Sequence, residues 1–123
     1  MSVNLLEKKC EPCSGKTPRL KGRELDPLKA ELDPAWKVVD EHHLQRSFSF
    51  DDFKQALRFV NRVGDVAEQE QHHPDICFTW GKAEIKLWTH AIDGLSENDF
   101  IVAAKVDRLH RGEACWRGEG ARQ

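Results

Sequence analysis

The sequence predicts an α+β fold: a four-stranded antiparallel sheet with two long helices and a short N-terminal helix packed on one face. Segments in which apolar and polar residues alternate come in two pairs. Each pair is followed by a segment in which apolar residues recur every three or four positions. The resulting order of strand, strand, helix, strand, strand, helix is typical of a layer of helices covering one face of an antiparallel sheet.

The short helix and the first two strands are predicted between residues 26 and 50. Asp26 precedes Pro27, which places Asp26 at the cap and Pro27 at the first position of a short helix over 26–32. Alternating apolar residues then predict strands over 36–40 and 44–50.

A long helix should follow these strands. Ser49 and Asp52 have the spacing of a capping box, so we expect the helix to begin there. Its apolar residues have helical spacing and would form one stripe: Phe53, Ala56, Leu57, Val60, Val63 and Ala67. Pro74 ends the helix, because the residue before a proline is disfavoured in the helical conformation.

A hairpin comes next. Alternating segments over 76–80 and 85–89 flank the turn dipeptide Gly81-Lys82 and predict two paired strands. Trp80 and Trp88 stand at packing positions of this hairpin, so we expect them to belong to the core or to an interface and not to a ligand site.

The last helix has its own start signal, a second capping-box spacing between Ser96 and Asp99, and its apolar pattern runs to Leu109. With 123 residues, of which 39% are hydrophobic, the chain suffices for one domain. We therefore expect a flexible arm over 1–25, a folded domain over 26–110 and a glycine-containing flexible tail over 111–123.

Composition narrows the range of partners and compartments. Nineteen basic and 21 acidic residues give a net charge of −2, which does not favour direct binding of nucleic acid. No apolar run approaches the roughly 20 residues of a membrane-spanning helix. Four cysteines without a disulfide framework fit a reduced, cytoplasmic location. The pair Cys10-x-x-Cys13 could be half a zinc site or a redox pair, but no second such pair exists, and a functionally silent pair is the simpler interpretation.

Histidines are the main candidates for chemistry. Six occur, in three groups and one single position: His42-His43, His72-His73 before Pro74, His90, and His110. Glu68 is four residues before His72, so on a helix its carboxylate could hydrogen-bond that ring and fix its tautomer. Pro74 should hold His73 in an extended conformation at the junction with the hairpin.

His90 should converge with the His72-His73 pair. It ends the second strand of the hairpin, and the end of that strand returns beside the start of the first. Asp99 is near enough in the chain to orient one of these rings. Imidazoles titrate near neutral pH, so three of them at one sheet edge would suit proton transfer and the elimination of water.

Other interpretations of these histidines remain. Imidazole is also the commonest metal ligand, and surface or core histidines can cluster without any function. His42 and His43 alternate on a probable strand, so at least one ring should face solvent, and we interpret both as structural. A helix N-terminus favours an acid at Asp99 with no further role.

Taken together, these residues resemble the pterin-4a-carbinolamine dehydratases. The resemblance rests on Glu68-x-x-x-His72-His73-Pro74, Trp80, His90 and Asp99, and on Trp36 and the entries to both long helices at 48–53 and 95–99. It covers about residues 25 to 108.

The resemblance implies an enzyme that converts 4a-hydroxytetrahydropterin to quinonoid dihydropterin, without a metal or other cofactor, and so recycles the cofactor of aromatic amino-acid hydroxylases. The residues it implies are catalytic His72, His73 and His90, supporting acids Glu68 and Asp99, and substrate-binding Pro74, Thr89 and Trp36. Among these, His72 oriented by Glu68 and His90 influenced by Asp99 would exchange protons, and His73 would hold the substrate.

The resemblance also bears on partners. It implies a homodimer or homotetramer, and animal members bind a homeodomain transcription factor, for which this sequence offers no independent support. The alternative class is an adaptor that uses the same fold only for binding, and such an adaptor has no need of three ionisable rings at one edge.

Overall fold

The computed structural model describes residues 5–11 and 17–120, with side chains up to residue 112. Its sheet has four strands: β1 Lys37–Val39, β2 His43–Ser49, β3 Asp75–Thr79 and β4 Lys82–Leu87. The helices are α1 Asp26–Lys29, α2 Phe53–Glu70 and α3 Glu97–Gly120. The strands pair in the order β1-β2-β4-β3, and every pairing is antiparallel. The predicted fold class is confirmed.

The core lies between one face of the sheet and the helices. Alternate residues of β2 and β4 point into it, and all are buried: Leu44, Phe48, Ala83, Ile85 and Leu87. Helix α3 adds a continuous buried run from Phe100 to Ala104. The opposite face is more polar, and there Gln45 donates a hydrogen bond to Glu84 across the β2–β4 pair at 2.9 Å.

Helix α2 begins later than the spacing of Ser49 and Asp52 predicts. Ser49 is still paired with Lys82 in the sheet, so it is not available as a cap. Asp52 is the cap instead, and its carboxylate accepts a hydrogen bond from the Gln55 backbone N–H at 2.8 Å. The buried stripe is also rotated from the prediction, because Phe59 is buried whereas the side chain of Phe53 is 46% exposed.

The position at which α2 ends determines where His72 and His73 lie. The helix stops at Glu70, and Gln71 takes the left-handed conformation with φ of 53°. His72 therefore lies outside the helix. The expected helical register between Glu68 and His72 is wrong for this reason.

The hairpin turns one residue earlier than predicted, at Trp80-Gly81. Gly81 has a φ of 80°, and a Cβ atom there would lie 2.9 Å from the Phe50 carbonyl oxygen, so glycine is required. Trp80 sits on this turn with 69% of its surface exposed. Trp80 is therefore not part of the core, and its expected place in an interface stays a prediction.

The N-terminal part of the chain packs more than its composition suggests. Gly22–Leu25 is already a 3-10 helix, so α1 continues it and Asp26 is not its cap. Leu5 is 1% exposed and belongs to the core. The boundaries of the predicted arm, domain and tail stay a prediction, although residues 5–11 contact the domain and the backbone of α3 runs on to Gly120.

The start of α3 follows the prediction. The Asp99 carboxylate accepts a hydrogen bond from the Ser96 backbone N–H at 2.9 Å, which is the reciprocal half of a capping box. Within the described ranges, no helix combines the length and the apolar character needed to cross a membrane.

Candidate active site

A pocket of about 490 Å³ opens where α2 ends, β4 ends and α3 begins. Its lining residues come from four parts of the chain: Cys10, Glu11, Glu70, Gln71, His72, His73, Trp88, Thr89, His90, Ala91 and Asn98. The predicted convergence of His72, His73 and His90 at one place is therefore confirmed. Their roles in a reaction stay a prediction.

Asp99 is the centre of the buried polar network beneath this pocket. Its side chain is fully buried, and Oδ1 accepts a hydrogen bond from His72 Nε2 at 2.6 Å. Oδ2 accepts from the Thr89 hydroxyl at 2.9 Å and from the Ser96 backbone N–H at 2.9 Å. The Thr89 hydroxyl proton is used by Asp99, so the Ser96 hydroxyl donates to Thr89 Oγ1 across 2.7 Å.

This network corrects the expected acid–histidine pairs. Asp99 pairs with His72 and not with His90, and Glu68 pairs with His73 instead of His72. The reason is the left-handed Gln71, which turns the chain so that the ring five residues after Glu68 returns to it. An ionised carboxylate only accepts hydrogen bonds, so it holds the proton of its histidine on Nε2 and leaves Nδ1 for proton exchange.

The two pairs differ in environment. His72 and Asp99 are 12% and 0% exposed, so their hydrogen bond is shielded from water. His73 and Glu68 are 60% and 78% exposed and lie 2.5 Å apart between Nε2 and Oε2. Exposed pairs contribute only about 0–1 kcal/mol to stability, so Glu68 orients its ring weakly while Asp99 fixes its ring firmly.

His90 is held by stacking. Its ring lies parallel to the Trp88 indole, with a centroid distance of 4.5 Å and an angle of 5°. Trp88 is half-buried and also lines the pocket, so it is not confined to the core; its expected place in an interface stays a prediction. Trp88 and His90 are two positions apart in a segment predicted as a strand, and this spacing was the available sequence signal that they share a face.

The rings of His42 and His43 also lie beside Trp88. Their rings lie 5.4 and 6.1 Å from the indole, and His42 Nε2 donates to Asp93 at 2.8 Å. Burial first, and then the neighbouring His42, lowers the pKa of His43 below its ordinary value. The hydrogen bond from His42 lowers the pKa of Asp93. Neither histidine is among the described lining residues of the pocket.

Two of the three residues expected to bind substrate do not line this pocket. Thr89 does line it. Trp36 is 1% exposed in the core, where its indole N–H donates to Asp107 at 2.6 Å, so it cannot reach a ligand. Pro74 is half-buried where the chain enters β3, and it is not among the described residues that line the pocket.

Glu70 is a pocket residue that the sequence did not single out, because it lies in an acidic run typical of a solvated helix end. Its side chain is 4% exposed, and Oε2 accepts from Lys105 Nζ at 2.5 Å. Burial alone would raise the pKa of Glu70, but the hydrogen bonds from Lys105 and the Cys10 backbone N–H outweigh it, and the pKa is lowered. Glu70 is therefore a buried, ionised residue at the pocket.

The histidines of this pocket are also candidates for metal ligation, because imidazole is a common metal ligand. Among the side chains that the structure describes, no group of three or more histidines, cysteines and acids is placed to hold a metal ion. The pocket contains three imidazoles, and two of them are hydrogen-bonded through Nε2 to a carboxylate. Such rings can give and take protons at neutral pH.

Comparison with known proteins agrees with this picture. The sequence profile of the family described as pterin 4 alpha carbinolamine dehydratase matches residues 18–109. A protein of Rubrobacter xylanophilus assigned as a pterin-4-alpha-carbinolamine dehydratase is 64% identical over 105 residues, covering 85% of this chain and 97% of its own. A protein of Alkaliphilus metalliredigens with the same assignment is 53% identical over 105 residues, covering 85% of this chain and 95% of its own.

Solved structures give the same result. A crystal structure of a transcriptional coactivator/pterin dehydratase from Brucella melitensis matches with a TM-score of 0.70 and 31% identity, over 75% of this chain and 98% of its own. A pterin dehydratase-like protein described as a RuBisCO assembly factor in the alpha-carboxysome matches with a TM-score of 0.53 and 25% identity, over 61% of this chain and 88% of its own.

Proposed function

Since the chain belongs to the pterin 4 alpha carbinolamine dehydratase family, we propose that it is a hydro-lyase that converts 4a-hydroxytetrahydropterin to quinonoid dihydropterin and water. The observation that carries this proposal is the meeting of His72, His73 and His90 at one pocket. The pocket volume of about 490 Å³ suits a ligand the size of a pterin.

The reaction needs two proton transfers. The bond from C4a to the hydroxyl breaks, the N5–H bond breaks, and a double bond forms between N5 and C4a. One group must protonate the departing hydroxyl, and another must take the N5 proton. No electrons are exchanged with the protein, so acid and base groups are sufficient.

We assign the proton exchange to His72 and His90. Asp99 holds the His72 proton on Nε2, which leaves Nδ1 as the nitrogen that exchanges with substrate. His90 is held on Trp88 at the same pocket. One ring enters the reaction protonated and the other neutral, and exchange with water restores both afterwards.

His73 is assigned to holding the substrate. Its ring is more exposed than that of His72 and is oriented by the exposed Glu68, so it can adjust to a ligand at the pocket mouth. Thr89 lines the pocket with its hydroxyl donated to Asp99, and it contributes by fixing that carboxylate.

A role as an adaptor is the alternative, and the names of the two structural neighbours include a coactivator and an assembly factor. Binding alone would not require a fully buried aspartate that orients a pocket histidine. That pair favours catalysis over adaptor function. It makes dehydration the better-supported proposal.

The substrate also places the reaction in a sequence. A 4a-hydroxytetrahydropterin arises when a hydroxylase uses a tetrahydropterin, and a quinonoid dihydropterin must be reduced before it can be used again. We therefore propose that the protein recycles the cofactor of aromatic amino-acid hydroxylases. The free thiols of Cys10 and Cys77 suit a reduced compartment such as the cytoplasm.

We further propose assembly into a homodimer or homotetramer. The strands β1 and β3 are the edges of the sheet, and exposed edges are commonly covered by another copy. The exposed side chains of Trp80 and Phe53 also provide apolar surface that a second copy would bury.

The function is tested by following quinonoid dihydropterin by absorbance, with the protein far below the substrate concentration. Intact protein should accelerate the reaction many turnovers beyond the uncatalysed rate. His72→Ala should lower kcat by about 100-fold or more, the usual contribution of a general acid or base. Gln69→Ala, an exposed position on the same helix end, is the control and should keep full activity. Full activity of His72→Ala would contradict the assignment.

A further inference from the structure

The segment Lys8–Glu11, called here the N-terminal strap, crosses the end of α2 and the start of α3. It lies outside residues 18–109, the part of the chain that matches the family profile. Its first contact is an ion pair between Lys8 Nζ and Glu97 Oε2 at 2.9 Å. Both side chains are about half exposed, so this contact adds little to stability.

The second contact reaches a buried charge. Glu70 Oε1 accepts a hydrogen bond from the Cys10 backbone N–H at 2.8 Å, while Oε2 accepts from Lys105. A buried carboxylate is stable only when its lone pairs are satisfied. The strap therefore completes the partners of Glu70.

The third contact consists of two hydrogen bonds between the Asn98 side chain and the backbone of Glu11. Asn98 Oδ1 accepts from the Glu11 backbone N–H at 3.0 Å, and Asn98 Nδ2 donates to the Glu11 carbonyl oxygen at 2.6 Å. The Cys10 thiol donates to the Asn98 carbonyl oxygen at 3.5 Å. Upstream, Leu5 is buried in the core. The strap is thus fixed by the buried Leu5 on its N-terminal side and by contacts of Lys8, Cys10 and Glu11 along its length.

The strap also faces the reacting groups. Cys10 and Glu11 line the same pocket as His72, His73 and His90. We infer that the strap is a wall of the substrate pocket that sets how tightly this chain binds a reduced pterin, without taking part in the proton transfers. This inference deepens the proposed function and rests on it for the identity of the ligand.

The chemistry of the wall specifies the substrate class further. The lining contains the carboxylates of Glu11 and Glu70 and no lysine or arginine among the described residues. Lys105 compensates the charge of Glu70, whereas the Glu11 carboxylate adds negative charge to the lining. A reduced pterin with a neutral side chain fits this lining better than one that carries a phosphate or a carboxylate tail.

Kinetics test the strap on two pairs of variants. Asn98→Ala removes both bonds to Glu11, and its control is Glu97→Ala, which removes only the exposed pair with Lys8. Glu11→Pro removes the N–H that Asn98 accepts, and its control Glu11→Ala removes the same carboxylate but keeps the N–H. Asn98→Ala and Glu11→Pro should each raise KM about tenfold relative to their controls, with kcat within twofold. An unchanged KM in both would overturn the inference.

A second measurement needs no turnover. In a protein carrying Cys13→Ser, Cys77→Ser and Cys115→Ser, the remaining thiol is that of Cys10. Burial, and then the charge of Glu70, raises the pKa of Cys10 to about 12, so the docked thiol should react slowly with a disulfide reagent. Asn98→Ala should accelerate this labelling at least tenfold, and saturating tetrahydropterin should slow it in the parent protein.

The two readouts separate the two proposals. If the parent protein shows no dehydratase activity but tetrahydropterin protects Cys10, the proposed function fails and the strap inference holds. If tetrahydropterin gives no protection, the strap is not a wall of a pterin pocket, whether or not the protein turns over.

Discussion

Replacing Asp99 with asparagine should damage both the fold and the site, because this fully buried carboxylate accepts three hydrogen bonds. An asparagine has one acceptor oxygen, so its amide group must face either His72 or the Ser96 backbone N–H. Facing His72, it forces that ring into the tautomer with the proton on Nδ1. Facing Ser96, it leaves a buried N–H without an acceptor.

The magnitude follows from these bonds. A hydrogen bond to a charged group contributes about 1.5–3 kcal/mol, and a buried unsatisfied group costs about 1–3 kcal/mol. One bond is weakened and one group is left unsatisfied, so the free energy of unfolding should fall by about 2–4 kcal/mol. With a slope of about 2 kcal/mol/M, in the middle of the usual range, the urea midpoint should fall by roughly 1–2 M.

Catalysis should fall as well, by about 100-fold in kcat, because His72 loses its fixed tautomer. Thr89→Val is the matched control: it removes one of the three bonds and keeps both the carboxylate and its bond to His72, so it should cost about 1.5–3 kcal/mol of stability and yet retain most of kcat. Urea unfolding followed by fluorescence and initial rates of product formation measure both effects. An Asp99→Asn protein that keeps the wild-type kcat would refute the role given to this carboxylate.

Three further predictions concern the turn, the buried acid and the stacked indole. Gly81→Ala should lower the free energy of unfolding by about 1–3 kcal/mol in urea denaturation, because φ is positive there and the Cβ would strike the Phe50 carbonyl. The pKa of Glu70 is lowered in the folded protein, so its ionised carboxylate stabilises the fold above the pKa that it has in the unfolded chain. This stabilisation is lost as the pH falls through the pKa of the folded state. Glu70→Gln should therefore remove this part of the pH dependence of the free energy of unfolding, measured from pH 7 to pH 3. Trp88→Leu should lower kcat several-fold in initial-rate assays, because the ring of His90 loses the indole on which it stacks. Trp80→Leu, at an exposed position, is the control and should not lower kcat. Equal rates for the two variants would show that stacking on Trp88 is not needed.

The fold follows from periodicity alone, because one face of the sheet and one stripe of each helix are buried together. Antiparallel pairing was enough to bring His90 to the His72-His73 pair, although the expectation that His90 ends the strand is wrong: β4 ends at Leu87, and His90 begins the 3-10 helix His90–Ile92. These features depend on local spacing and on the direction of neighbouring strands. Both are visible in a sequence.

The acid–histidine pairs were beyond such reasoning. They depend on a single left-handed residue, Gln71, which ends α2 two residues before His72 and sends His73 back to Glu68. Glutamine is not a strong signal for that conformation. Because α2 ends at Glu70 and does not include His72, Asp99 pairs with His72 in place of Glu68, and Glu68 pairs with His73.

Long-range contacts were hidden for another reason. The Cys10 backbone N–H reaches Glu70 across 60 positions of sequence, and Trp36 reaches Asp107 across 71. Neither bond leaves a periodic trace in the chain. Trp36 could thus be mistaken for a pocket residue, and the contacts that residues 5–11 make with the domain could not be foreseen.

The most direct test compares intact protein with a variant in which His72, His73 and His90 are all alanine. Both are mixed at low concentration with 4a-hydroxytetrahydropterin generated in the cuvette, and the formation of quinonoid dihydropterin is followed by stopped-flow absorbance. The intact protein should give a rate proportional to its concentration, and the triple variant, folded by circular dichroism, should give the uncatalysed rate. A folded triple variant as fast as the intact protein would contradict histidine acid/base catalysis at this pocket.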